Sequence, residues 1–156
     1  MKSCVFIRNG VVSESLNQSS VDGKRMLDPF NSFTKGHGAP ISILEDKNVS
    51  NDAEVHRGED DLWICISGEV DFIVGGKLHG AEMRKRPDGT ENDMEFKAPS
   101  IVGGTRYTLK AGDILYIPAG QPHSHETKGE ARLFIIKPPA REAVPLSEVP
   151  GWEKGE

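Results

Sequence analysis

From residue 41 onward the chain sets short apolar runs between clusters of turn residues. Residues 41–45 run into Asp46-Lys47-Asn48, 53–56 into Arg57-Gly58-Glu59-Asp60, 62–66 into Ser67-Gly68, and 70–74 into Gly75-Gly76. The rhythm resumes with 107–109 before Lys110-Ala111-Gly112-Asp113, 114–117 before Pro118-Ala119-Gly120, and 132–136 before Pro138-Pro139. Runs this short, punctuated by glycine, predict the strands of a β-sandwich or barrel. No stretch within 41–137 keeps a helical period over three turns. Leu62, Ile64 and Ile66 alternate with Trp63 and Cys65, so this strand is apolar on both faces. One face can fill a barrel, and the other needs a second sheet or a neighbouring subunit.

Three segments depart from that pattern. Residues 1–40 form an N-terminal arm whose 13–38 portion is rich in Ser, Asn, Gly and Asp, with Leu16, Met26, Leu27, Phe30 and Phe33 scattered through it. It reads as irregular, with room for one short helical turn. Residues 77–104 are a charged excursion between two strands, carrying Lys77, Glu82, Arg84-Lys85-Arg86, Asp88 and Glu91 among others. A connection of that length is long for a structureless loop, and the expectation is a mobile flap or extended hairpin over the barrel mouth. Residues 138–156 contain Pro139, Pro145 and Pro150 and read as a surface tail.

Composition narrows the class without changing it. The chain has 156 residues, the size of one domain, and 36% hydrophobic residues plus 17 glycines bring its apolar content into the ordinary globular range. A net charge of −5 argues against nucleic acid as a partner, since phosphate binding needs a basic surplus. The longest apolar run, residues 62–66, is far too short to span a membrane. The N-terminal apolar run breaks at Arg8 before a signal-peptide core can build, so the expected location is cytoplasmic. Cys4 and Cys65 lie far apart with no CxxC pair, which indicates neither a disulfide framework nor a zinc ribbon.

Two clusters carry residues suited to chemistry. The first is Glu54-Val55-His56 followed after a turn by Asp61. Residues two apart on a strand share a face, so Glu54 and His56 project together, and an antiparallel hairpin can bring Asp61 across from His56. The second runs Pro118-Ala119-Gly120-Gln121-Pro122-His123-Ser124-His125, again with histidines two apart. His37 and His79 stand alone and read as solvated, Cys65 as a small buried hydrophobe, Trp63 as core packing, and Arg84-Lys85-Arg86 as a solvated loop answered by nearby acids.

These clusters resemble the two signature motifs of the cupin superfamily, small double-stranded β-helix barrels. Gly112, Pro118, Gly120 and His123 match the second motif without a gap, with Thr127 where asparagine often stands. In the first motif His56 takes the position of the second histidine and Gly68 that of the glycine. Glu54 replaces the first histidine, and Asp61 stands at the acid position. The resemblance covers roughly residues 41–137. It implies an all-β cupin (jelly-roll) barrel with an irregular N-terminal arm, and one divalent metal held by Glu54, His56, Asp61 and His123. Two histidines with a carboxylate and open positions favour ferrous iron, with manganese, nickel and zinc also suited.

Two functional readings follow from the resemblance. One is a metal-dependent enzyme acting on a small polar molecule by isomerase, lyase or dioxygenase chemistry, with the metal as Lewis acid and Glu54 or His125 as general base. The other is a non-catalytic cupin that holds a small ligand with a structural metal or none. Fold alone does not choose between them. Small cupins commonly pair through an apolar sheet face, so a homodimer is the expected assembly.

Overall fold

The computed structural model describes residues 3–153. Helix α1 (Asn9–Leu16), strand β1 (Gly23–Met26) and helix α2 (Phe30–Gly36) precede the barrel strands β2 (Ile41–Ser50), β3 (Ala53–His56) and β4 (Asp61–Val74). Four short strands follow: β5 (Lys77–His79), β6 (Glu82–Lys85), β7 (Glu91–Ala98) and β8 (Ser100–Val102). The barrel closes with β9 (Thr105–Lys110), β10 (Ile114–Ile117) and β11 (His123–Ile136), and a short 3-10 turn lies at Leu146–Glu148. All strand pairs are antiparallel, and β11 is the hub, bonded to β2, β3 and β4. Among the described residues no helix is long and apolar enough to cross a membrane.

The alternation in β4 sets the interior. Asp61, Trp63 and Cys65 are buried while Leu62, Ile64 and Ile66 face outward and are half-buried. Past Ser67-Gly68-Glu69 the phase flips, so that Val70 and Phe72 turn inward instead. Such a flip needs an irregularity in the pairing, and the β4–β11 register shifts between Glu126 and Ala131. Gly68 sits at that point with φ +77, where a Cβ would lie 1.9 Å from the Glu130 carbonyl oxygen. A side chain there would have to enter the facing strand, so glycine is required on steric grounds as well as for its φ. Around this break Trp63 and Phe72 meet edge-on with centroids 5.0 Å apart, in a core shared with Leu44, Leu109, Ile117 and Leu133.

The N-terminal arm is ordered, which corrects the irregular segment expected from its composition. Leu16, Leu27 and Phe30 pack with Ile43, Ile66 and Phe134 into a second apolar cluster on the outer sheet face. The arm thus covers part of the face that the sequence pattern left open. Glu45, fully buried on β2, fastens it: Arg25 Nε donates to Oε1 at 2.7 Å, the Val21 N–H to the same oxygen at 3.1 Å, and Arg132 Nε to Oε2 at 2.8 Å. Arg132 then donates to the carbonyls of Leu16 and Gln18. Scattered apolar residues looked like loop because their partners lie on strands far away in sequence.

Residues 77–104 are also built into the barrel, against the flap expectation. β5 pairs β8, β6 pairs β7, and β7 extends the main sheet along β3 with Val55 opposite Phe96. Leu78, Phe96 and Ala98 are buried with Ala53 and Val55, and Met83 and Ile101 pack against them. The C-terminal segment joins the same cluster rather than lying loosely on the surface. Val149 is buried there, the Trp152 ring stands 5.0 Å from that of Phe96, and the Leu78 N–H donates to the Pro150 carbonyl at 3.1 Å.

Candidate metal centre

Glu54 and His56 reach the barrel interior from β3, whose pleat sends Val55 the other way into the apolar cluster below. His123 opens β11 directly opposite Glu54, and Asp61 opens β4 opposite Ile117. β3 and β4 do not pair, so Asp61 reaches His56 across the barrel interior and not across the hairpin the sequence suggested. The two motifs are stitched together by backbone. The Gly120 N–H donates to the His56 carbonyl at 2.7 Å, and the Ala119 N–H donates to Asp60 Oδ1 at 2.8 Å.

Side-chain atoms of Glu54, His56 and His123 lie close enough to share one ion. Asp61 Oδ2 is 3.1 Å from His123 Nε2 and 3.8 Å from His56 Nε2. The structure therefore brings together all four residues expected to hold metal. His123 Nδ1 donates to the Gln121 carbonyl at 3.0 Å, which leaves Nε2 as a bare lone pair when the ring is neutral. That lone pair faces the Asp61 carboxylate, and neither atom has a hydrogen-bond partner among the described residues. Two buried acceptors 3.1 Å apart require a shared cation, a proton or a metal ion. Two imidazole nitrogens with one or two carboxylate oxygens suit a divalent first-row metal.

His125 is placed differently. Its ring lies between Trp63 and Phe72, with centroids 5.2 and 5.3 Å away, and its Nε2 donates to Asp46 Oδ2 at 2.7 Å. It faces the same interior as His123 but is engaged by Asp46 and packed into the core.

The sequence reading missed three residues at the site. Lys137, just past β11, lies with Nζ 3.1 Å from His56 Nε2, 3.1 Å from Asp61 Oδ1 and 3.2 Å from Glu59 Oε1. Arg84, read as a solvated loop residue, donates to Glu54 Oε2 at 2.7 Å. Glu59, read as part of a turn, also stands 3.8 Å from His56 Nδ1. No motif marks these three: Arg84 and Lys137 arrive through tertiary pairing of β6 and the end of β11, and Glu59 sits three residues past His56 on the connection to β4.

The charges set the protonation states. Burial alone would raise Glu54, but His56, His123, Arg84 and Lys137 outweigh it and hold the carboxyl below the ordinary glutamate range. Asp61 is likewise buried, yet the His123 contact and the Lys137 and His56 charges hold it far below its usual value. Burial, and then the Lys137 ammonium, push His56 down against the pull of Asp61 and Glu54. Lys137 is raised, because Asp61 and Glu59 overcome the effect of its own burial. The centre thus holds two ionised carboxylates beside a retained ammonium.

Residues 99–137, which carry the whole second motif, match the cupin domain family. Over that segment, which runs from β8 through β11, the barrel resembles a cupin. Solved structures similar to it include the EutQ protein of Clostridium difficile, at 17% identity over 65% of this chain and 56% of that one (TM-score 0.42). The cupin domain of Drosophila melanogaster CENP-C matches at 15% identity over 76% of this chain and 68% of its own (TM-score 0.48). The Escherichia coli ribosomal oxygenase YcfD matches at 20% identity over 67% of this chain and 23% of its own (TM-score 0.43). The chain thus spans 56% of the EutQ chain and about a quarter of YcfD. No curated protein sequence matches the chain.

Proposed function

We propose that this cupin binds one divalent metal through Glu54, His56 and His123, with Asp61 as a further ligand, and acts through it on a small polar molecule. The observation that carries the reading is the convergence of ligand atoms from Glu54, His56 and His123 on one point inside the barrel, close enough to share an ion. When bound, the metal supplies Lewis acidity toward an oxygen of the ligand. The chain's own residues do the rest. The Gln121 carbonyl fixes the His123 tautomer, the surrounding cations keep Glu54 ionised and suited to a ligand role rather than that of a base, and Trp63 and Phe72 close the barrel below.

The alternative, a non-catalytic binding cupin, is favoured by one observation. Arg84 and Lys137 already neutralise Glu54 and Asp61, so the carboxylates have partners without any metal. Elemental analysis of protein purified without a metal-affinity tag separates the two. Near-stoichiometric iron, manganese, nickel or zinc supports the metal centre, and metal-free protein that refuses all four on reconstitution overturns it. We further propose a cytoplasmic location, consistent with the free thiols of Cys4 and Cys65, and a homodimer joined through the sheet face where Ile114 and Tyr116 stand exposed opposite Ile64 and Leu62.

A further inference from the structure

Lys137 belongs to two places at once. Its ammonium donates to His56 Nε2 at 3.1 Å and lies as close to Asp61 Oδ1. Its side chain, one third exposed, also floors a cleft of about 370 Å³ that opens between α2 and the barrel. Ile41, Pro40 and Ile135 give that cleft apolar walls, Ser42 and Lys35 add polar groups, and Glu59 is the one carboxylate lining it. The backbone does not move with the ammonium, because the Lys137 N–H is held by the Pro40 carbonyl at 2.9 Å. A four-carbon stem above a fixed backbone lets the charged end reach either the histidine or the cleft.

Chemistry makes those two positions exclusive with respect to metal. His56 Nε2 has a single lone pair in the ring plane, and it cannot accept from an ammonium and coordinate a cation together. A divalent ion at His56 would also sit beside the ammonium and repel it toward the cleft. An anion in the cleft relieves both problems. It draws Lys137 away from His56 and away from the metal's charge.

We infer that Lys137 competes with the metal for His56 and Asp61, and that a small carboxylate entering the α2 cleft releases it, so that metal and carboxylate bind with positive coupling. The inference rests on the metal reading above and adds to it a ligand class, a monocarboxylate with a short apolar body, and an entry route. Reciprocity follows: the metal must tighten the carboxylate by the same factor.

The test is calorimetric titration of Mn²⁺ into metal-free protein, in sodium butyrate and in sodium chloride of equal concentration. Butyrate is the probe because it matches the cleft and chelates free metal only weakly. Expected in chloride is that Lys137→Met binds Mn²⁺ at least about tenfold tighter than the wild type, because the competing cation is gone. Butyrate then tightens the wild type about fivefold or more and leaves Lys137→Met unchanged. Lys137→Gln repeats the comparison should the methionine variant fail to give a native melting curve. Equal Mn²⁺ affinity in wild type and variants overturns the competition. A butyrate response of the same size in all of them overturns the coupling, since the carboxylate would then act on the metal without the lysine. Failure of every protein to bind Mn²⁺ overturns the metal centre itself and this inference with it, an outcome distinct from the other two.

Discussion

Arg84 donates to Glu54 across 2.7 Å and so ties β6, in the middle of the charged excursion, to a residue that faces the barrel centre. One end of the contact is half-exposed and the other nearly buried. That geometry holds only if the intervening β7 is packed as sheet, and Phe96 beneath it is fully buried.

Phe96→Ala should therefore destabilise the fold by about 4 kcal/mol, the usual cost of emptying an aromatic core position. Replacing residues 77–100 with a short Gly-Ser turn should abolish cooperative unfolding, because Leu78, Phe96 and Ala98 leave together. Urea denaturation followed by tryptophan fluorescence reads both. A deletion that melts like the wild type would mean the excursion is a detachable lid after all.

His56→Ala and His123→Ala should each lower metal occupancy at least about tenfold while far-UV circular dichroism stays native, since each removes an imidazole nitrogen from the same centre. Asp61→Ala should cost less metal, because Asp61 stands outside the cluster formed by Glu54, His56 and His123. Full occupancy in either histidine variant would move the metal elsewhere.

Glu45→Gln should cost about 3 kcal/mol, because it leaves the guanidinium of Arg132 without its buried counter-charge. A pH dependence accompanies it. Burial pushes the Glu45 carboxyl upward, but Arg25, the Val21 N–H and Arg132 outweigh burial and set it below its usual value. With the folded pKa below the unfolded one, the carboxylate's contribution is complete above the ordinary glutamate range and drains away as pH falls through the folded value. The Tm difference between wild type and Glu45→Gln should thus be constant near neutrality and shrink in acid. A gap that widens on acidification would reverse the sign.

Ile114, 64% exposed, and Tyr116, 54% exposed, are large apolar side chains on the outer face of β10. Light scattering should give about twice the 17.1 kDa chain mass, and Ile114→Glu should return it to the single-chain value without loss of Tm. A wild-type monomer would remove the dimer.

Much of the barrel was legible because its signals are local. The apolar run 62–66 located β4 while leaving open which of its two apolar faces turns inward, and the Gly112-Pro118-Gly120-His123 spacing located β10, its turn and the start of β11. His56 and His123 were legible for the same reason. What stayed hidden depends on partners distant in sequence. Phe30 and Leu27 looked like loop residues until Ile43 and Phe134 came to meet them, and Val149 looked like tail until Leu78 did. Lys137 is the sharpest case. It falls one residue past a strand, in no motif, and becomes part of the site only because β11 ends beside His56.

The position of β11 at the hub of the sheet has a consequence for the order in which the molecule can assemble. It is the last of the described strands, yet it separates β2 from β4 and supplies each with the partner on one edge. During synthesis those two strands emerge early and wait with open hydrogen-bonding edges until residues 123–136 leave the ribosome. Pairing across such distances closes slowly, and open edges invite association with other chains. The nascent barrel therefore passes through an interval in which one edge of β2 and one edge of β4 are open to association.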